Sequence, residues 1–150
     1  MKAKIIIVLV FFVGPFYAFN SKSNDAISSG NIHVIVEGIE KNVGQLGILL
    51  FEQQDGFPTD ERKALQQVLL PLNGTTLRYS FENLPYGTYA VSVMHDANMN
   101  DKLDTNFIGI PKEGIGISNN VTSTLSAPKF RDASFVLDKS DVTKSIELNY

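Results

Sequence analysis

Between Thr76 and Glu82 every second residue is large and apolar: Leu77, Tyr79 and Phe81 alternate with Arg78, Ser80 and Glu82. Successive side chains of a strand point to opposite faces, so this pattern predicts a strand with one dry face and one wet one, as in antiparallel sheets. The period recurs along the chain. Ile32, Val34 and Val36 share one face of Asn31 to Ile39, with His33, Ile35 and Glu37 on the other. Tyr89, Val91, Val93 and His95 oppose Ala90, Ser92 and Met94; Ala133, Phe135 and Leu137 oppose Ser134, Val136 and Asp138; Ile146, Leu148 and Tyr150 oppose Ser145, Glu147 and Asn149. Gly44 to Glu52 is apolar on both faces and is expected at the centre of a sheet. Val68-Leu69-Leu70 reads as a further short strand, preceded by a helical turn or two over Thr59 to Leu65. Asn73-Gly74 is a strong turn signal, and in Leu84-Pro85-Tyr86-Gly87 the proline presets a turn that the glycine closes. About seven short strands separated by turns predict an all-β antiparallel sandwich, with no internal repeat.

The start of the chain reads as an export signal. Lys2 and Lys4 precede an apolar run of nine residues, Ile5 to Val13; Gly14 and Pro15 break it, and Ala18 offers a small residue for cleavage. The run is too short to span a bilayer. Residues 1–18 are therefore expected to be removed, 19–30 to form a polar leader, and 31–150 to fold as one domain, with no membrane span in the mature chain. The expected location is periplasmic, cell-surface or secreted. Without Lys2 and Lys4 the formal charge goes from −3 to −5, which argues against nucleic acid as a partner. The absence of cysteine excludes disulfides, thiolate catalysis and lipidation of an N-terminal cysteine, and for an exported chain it suits a bacterial source.

The run Asp96-Ala97-Asn98-Met99-Asn100-Asp101-Lys102-Leu103-Asp104 places side-chain oxygens at first, third, fifth and ninth positions, the spacing of a calcium loop. Asp96, Asn98, Asn100 and Asp104 are the candidate side-chain ligands, and Lys102 contributes a backbone carbonyl at the seventh position. An EF-hand would have Gly at the sixth position and Glu at the twelfth, where this chain has Asp101 and Phe107. The missing carboxylate must come from elsewhere, with Glu113 the nearest candidate and Asp132 a more distant one. Ca2+ is thus the expected cofactor, in a structural role. The competing reading is a dry turn, since Asp and Asn side chains also bond their own backbone in tight turns.

Phe81-Glu82-Asn83-Leu84-Pro85-Tyr86-Gly87-Thr88-Tyr89 resembles the turn-and-strand signature of prealbumin-like and carboxypeptidase-regulatory-like modules. The longer run from His95 through Asp104 to Glu113-Gly114 and Ser118-Asn119-Asn120 resembles an uncharacterised bacterial exported family, domain of unknown function 2141. Gly56-Phe57-Pro58, Lys63-Ala64, Phe130-Arg131-Asp132-Ala133 and Tyr150 extend that resemblance over nearly all of the expected mature chain. The family usually has Gly where Asp101 stands. The resemblance implies a Greek-key, immunoglobulin-like or prealbumin-like sandwich and an exported location, and it implies no activity.

A serine triad would need His33 or His95 as its base. His33 reads as an ordinary histidine on a wet strand face, and His95 as a strand-end histidine under the loop, bonding a backbone carbonyl. Two histidines and no cysteine leave too few ligands for zinc. Gly114 to Asn120 reads as a glycine-bent edge rather than a phosphate loop. Tyr86, Phe107 and Phe130 lie in expected loops, where they cap the sandwich or line a sugar- or peptide-binding patch. The leading expectation is a non-enzymatic module in the envelope or extracellular space, with an unknown protein or glycan partner. A carbohydrate- or peptide-binding module using the loop end of the sandwich is the alternative, and an unrecognised hydrolase the second.

Overall fold

The computed structural model describes residues 28–100, 105–107, 112–122 and 126–150. Among them lie eight strands: β1 (Ser29–Glu37), β2 (Gln45–Phe51), β3 (Gln66–Pro71), β4 (Leu77–Pro85), β5 (Gly87–Asp96), β6 (Ile115–Ile117), β7 (Phe135–Leu137) and β8 (Asp141–Glu147). Helix among the described residues is confined to 3-10 turns at Glu61–Lys63 and Ser118–Asn120 and one α-turn, α1 (Phe130–Ala133). No helix among the described residues is long and apolar enough to cross a membrane. The expected signal, residues 1–18, lies outside the described residues.

Two sheets face one another. The first has the order β4-β1-β8 and the second β3-β2-β5-β6, with β7 paired to the start of β5. The alternation in β1 works as expected: Ile32, Val34 and Val36 are wholly buried, and they meet Leu46, Ile48, Leu50, Val91, Val93, Phe81, Leu137 and Ile146 between the sheets. Burying one such side chain contributes about 1.5–3 kcal/mol. β2 is central in the second sheet, as its two apolar faces require. Its outer face and that of β5 are covered by a second cluster of Phe51, Phe57, Ala90, Ile117 and Ala133, with Phe130 against it. The Phe57 ring stands edge-on to Phe51 at 5.3 Å and to Phe130 at 5.9 Å.

Four features depart from the reading of the sequence. β1 begins at Ser29, ahead of Asn31, because the Ser29 and Gly30 positions pair with Pro85 and Leu84. The turn at Leu84 to Gly87 is a corner between sheets. β4 ends at Pro85 in the first sheet and β5 starts at Gly87 in the second, while the Tyr89 hydroxyl donates to the Pro85 carbonyl at 2.7 Å. Ala133, expected in a strand, closes α1, whose Phe130 carbonyl accepts from the Ser134 N–H at 2.7 Å. Otherwise antiparallel pairing is broken by β8, which runs parallel to β1 from Asn31↔Asp141 to Glu37↔Glu147. Beyond β8 the chain crosses to the second sheet, where Asn149 and Ile115 exchange backbone bonds of 2.8 and 2.9 Å.

Candidate metal centre

β5 delivers Asp96 to the end of the second sheet, directly opposite Gln45 of β2. Both residues are buried, and the Gln45 Nε2 donates to Asp96 Oδ2 at 2.9 Å. The other carboxylate oxygen, Oδ1, accepts from the Asn100 N–H at 3.1 Å, which Asn98 Oδ1 also approaches at 3.1 Å. Asp96 and Asn98 thus curl the chain around Asn100, and Met99 between them takes a left-handed φ of 58°. Gly44 makes room for this end of β5: it has φ 78°, and a side chain there would collide with the Asp96 carbonyl oxygen. Only glycine combines that backbone angle with that close approach.

Glu113 comes to the same place from the far end of the loop. It is buried, and its Oε1 accepts from the Ala97 N–H at 3.1 Å. The next residue fixes it there, since the Gly114 carbonyl accepts from the His95 N–H at 2.8 Å. His95, the neighbour of Asp96, is wholly enclosed. Its Nε2 lies 2.8 Å from the Val43 carbonyl, its Nδ1 2.7 Å from the Tyr150 hydroxyl, and the two rings meet edge-on. A carbonyl only accepts, so Nε2 carries the proton and Nδ1 accepts from Tyr150, whose oxygen in turn accepts from the Glu40 N–H at 3.3 Å. This is the strand-end role expected of His95.

Of the residues expected to hold calcium, the structure brings together Asp96, Asn98, Asn100 and Glu113. Asp101, Lys102 and Asp104 lie outside the described residues. Asp132 stands apart on α1, where it pairs with Arg131 at 3.1 Å. Among the described residues no three His, Asp or Glu side chains converge on one point. The donor set still suits a hard cation. Carboxylates such as those of Asp96 and Glu113, and side-chain amide oxygens such as those of Asn98 and Asn100, are the oxygen donors that calcium takes.

The aromatic residues do not gather at the loop end. Tyr86 adjoins the start of β5, the far end from Asp96, and lines a groove of about 300 Å3 with Glu52, Leu65 and Thr88. Phe130 packs against Phe57, while Phe107 is almost fully exposed. The alternative of a sugar or peptide site beside the loop therefore loses two of its three aromatics. His33, read as an ordinary wet-face histidine, has a partner on each ring nitrogen, Ser80 on one and Asp141 on the other.

Residues 34–145 match the model of a family described as "Uncharacterized protein conserved in bacteria (DUF2141)". The chain belongs to this family. The DUF2141 match runs from within β1 to within β8 and includes Asp96, Glu113 and the segment between them. The loop is therefore part of the DUF2141 domain itself. No curated protein and no solved structure matches the chain.

Proposed function

We propose that this DUF2141 domain is an exported β-sandwich whose Asp96–Asp104 loop is pinned by calcium, and that it has a structural or interaction role in the cell envelope or extracellular space. The observation that carries this reading is Glu113. The calcium spacing lacks its twelfth-position carboxylate, and the fold brings a buried carboxylate from beyond the loop to within hydrogen-bond reach of Ala97. Asp96, Asn98 and Asn100 would supply oxygens from the near end, the Lys102 carbonyl and Asp104 from the far end, and Glu113 would complete the set. Oxygen donors on an irregular loop suit calcium, which tolerates flexible coordination, better than magnesium. Calorimetry on chelator-stripped protein tests this. Heat saturating at millimolar calcium or below, and absent with magnesium, supports it; no calcium heat up to several millimolar leaves only an Asx-rich turn.

One observation favours a second reading. Tyr86 is 41% exposed beside Glu52, Leu65 and Thr88, an apolar ring next to a carboxylate of the kind that contacts sugars or peptides. Glycan-array binding lost in Tyr86→Ala would favour that role.

A further inference from the structure

The outer face of the first sheet carries side chains from three strands whose order along the chain hides their proximity. His33 of β1 lies at the centre, directly across from Ser80 of β4, with Asp141 of β8 on its other side. His33 Nδ1 is 2.7 Å from Ser80 Oγ, and Nε2 is 3.0 Å from Asp141 Oδ1. The Asn31 Nδ2 also donates to Asp141 Oδ1 at 3.0 Å. Hydrogen bonds from His33, Ser140 and Asn31 hold the Asp141 carboxyl down to about 2, so it is ionised at neutral pH and can only accept. Nε2 therefore carries the imidazole proton, and the lone pair of Nδ1 faces the Ser80 hydroxyl. That is the orientation a general base needs: a nucleophile in hydrogen-bond contact with the base, and a base oriented by a third group.

We propose that Ser80, His33 and Asp141 form a nucleophilic triad that accepts an acyl group from an ester. This goes beyond the calcium reading and involves a different face of the molecule. Ser80 Oγ attacks the ester carbonyl as its proton passes to His33 Nδ1. The ester C–O bond then breaks, and the leaving oxygen takes that proton as an alcohol. Water next attacks the acyl-serine, giving one proton to Nδ1; the Oγ–C bond breaks, Ser80 regains its proton, and a carboxylic acid departs. Ser80 and His33 are catalytic residues in this scheme, and Asp141 is a positioning residue. The triad lies on an open sheet, with the His33 and Asp141 side chains 38% and 53% exposed. The substrate class that fits is an acyl ester presented on an extended polymer or a surface.

The purified chain should be treated with an alkyl fluorophosphonate and, separately, with p-nitrophenyl acetate. The expected result is one phosphonyl group per folded chain, mapped by peptide mass to Ser80 and lost in Ser80→Ala. His33→Ala should slow labelling roughly 10²-fold or more, the usual contribution of a general base. Asp141→Asn tests positioning: the amide can donate to Nε2, which would move the ring proton to Nδ1 and deprive Ser80 of its acceptor. Labelling should then fall at least tenfold in protein whose circular dichroism and melting profile still show a folded chain. A cross-strand polar ladder with only a structural role predicts no preference for Ser80. No labelling, labelling spread over other hydroxyls, or equal labelling of urea-unfolded chain overturns the proposal. Calcium binding is measured on the same samples, so either reading can fail alone.

Discussion

The Tyr150 hydroxyl meets Nδ1 of His95 at 2.7 Å, tying the segment beyond β8 to the strand end that carries Asp96. The same oxygen accepts from Glu40, and the Tyr150 ring packs where a side chain on Gly114 would have to go. Three separate stretches of chain are thus clamped at the base of the loop by one phenol.

Tyr150→Phe keeps the ring and removes that oxygen, leaving a buried imidazole nitrogen without its donor. The expected cost is about 1–3 kcal/mol, read as a lower urea midpoint with an unchanged slope. A midpoint equal to that of the parent chain would show that water takes over the hydroxyl's role.

Calcium should raise the melting temperature in a saturable manner. The loop itself supplies two carboxylates, Asp96 and Asp104, and no bidentate Glu at its twelfth position; with Glu113 coming from outside the loop, modest affinity is expected, on the order of 10⁻⁴ to 10⁻³ M, as in extracellular modules. At ten times the dissociation constant the stabilisation is about 1.4 kcal/mol. Glu113→Gln and Asp104→Ala should each remove most of the calcium-dependent rise, while Asp101→Gly should leave it intact or enlarge it by easing the turn. An undiminished rise in Glu113→Gln would show that this carboxylate serves only as a cap for Ala97.

Asn119 offers a test of local architecture. It sits at φ 60°, its amide donates to the Asp132 and Ser134 carbonyls at 3.3 and 2.9 Å, and its oxygen accepts from Lys144 Nζ at 3.0 Å. Asn119→Gly relieves the backbone and loses those bonds; Asn119→Ala loses them and keeps a strained φ. Thermal melts should rank parent above Gly and Gly above Ala, with Ala lower than Gly by about 1 kcal/mol. Equal Gly and Ala variants would mean that the backbone angle relaxes.

Acid stability should depend on Asp141. Its folded carboxyl titrates at about 2 against an ordinary 3.8, so the unfolded chain binds the proton more readily. The stabilisation is fully present above about 3.8 and is lost as pH falls toward 2. Melting temperatures between pH 5 and 2 should fall less steeply in Asp141→Asn than in the parent, and parallel curves would contradict this.

Strands with one wet face were legible in the sequence because alternation records which side is dry, as in Leu77, Tyr79 and Phe81. The approach of Glu113 to the start of the Asx-rich loop was anticipated for a different reason: the spacing of Asp96, Asn98, Asn100 and Asp104 lacks a carboxylate, which pointed to one from outside the loop. The parallel docking of β8 on β1 was not, since either neighbour of β1 would satisfy Ile32, Val34 and Val36 equally. α1 has four residues, too few for a helical period to show. Nor could the Ser80, His33 and Asp141 contacts be read, because they join positions 47 and 108 residues apart through strand register alone.

The pairing of β1 with β8 also has a kinetic side. The central strand of the first sheet finds its parallel neighbour only after more than a hundred further residues have been made, as Asn31 and Asp141 show. Such a long closure is slow to form, so a growing chain holds β1 with one edge unsatisfied until residues 141–147 emerge. A ribosome-bound chain stalled before Asp141 should therefore be open to protease where the finished domain is closed.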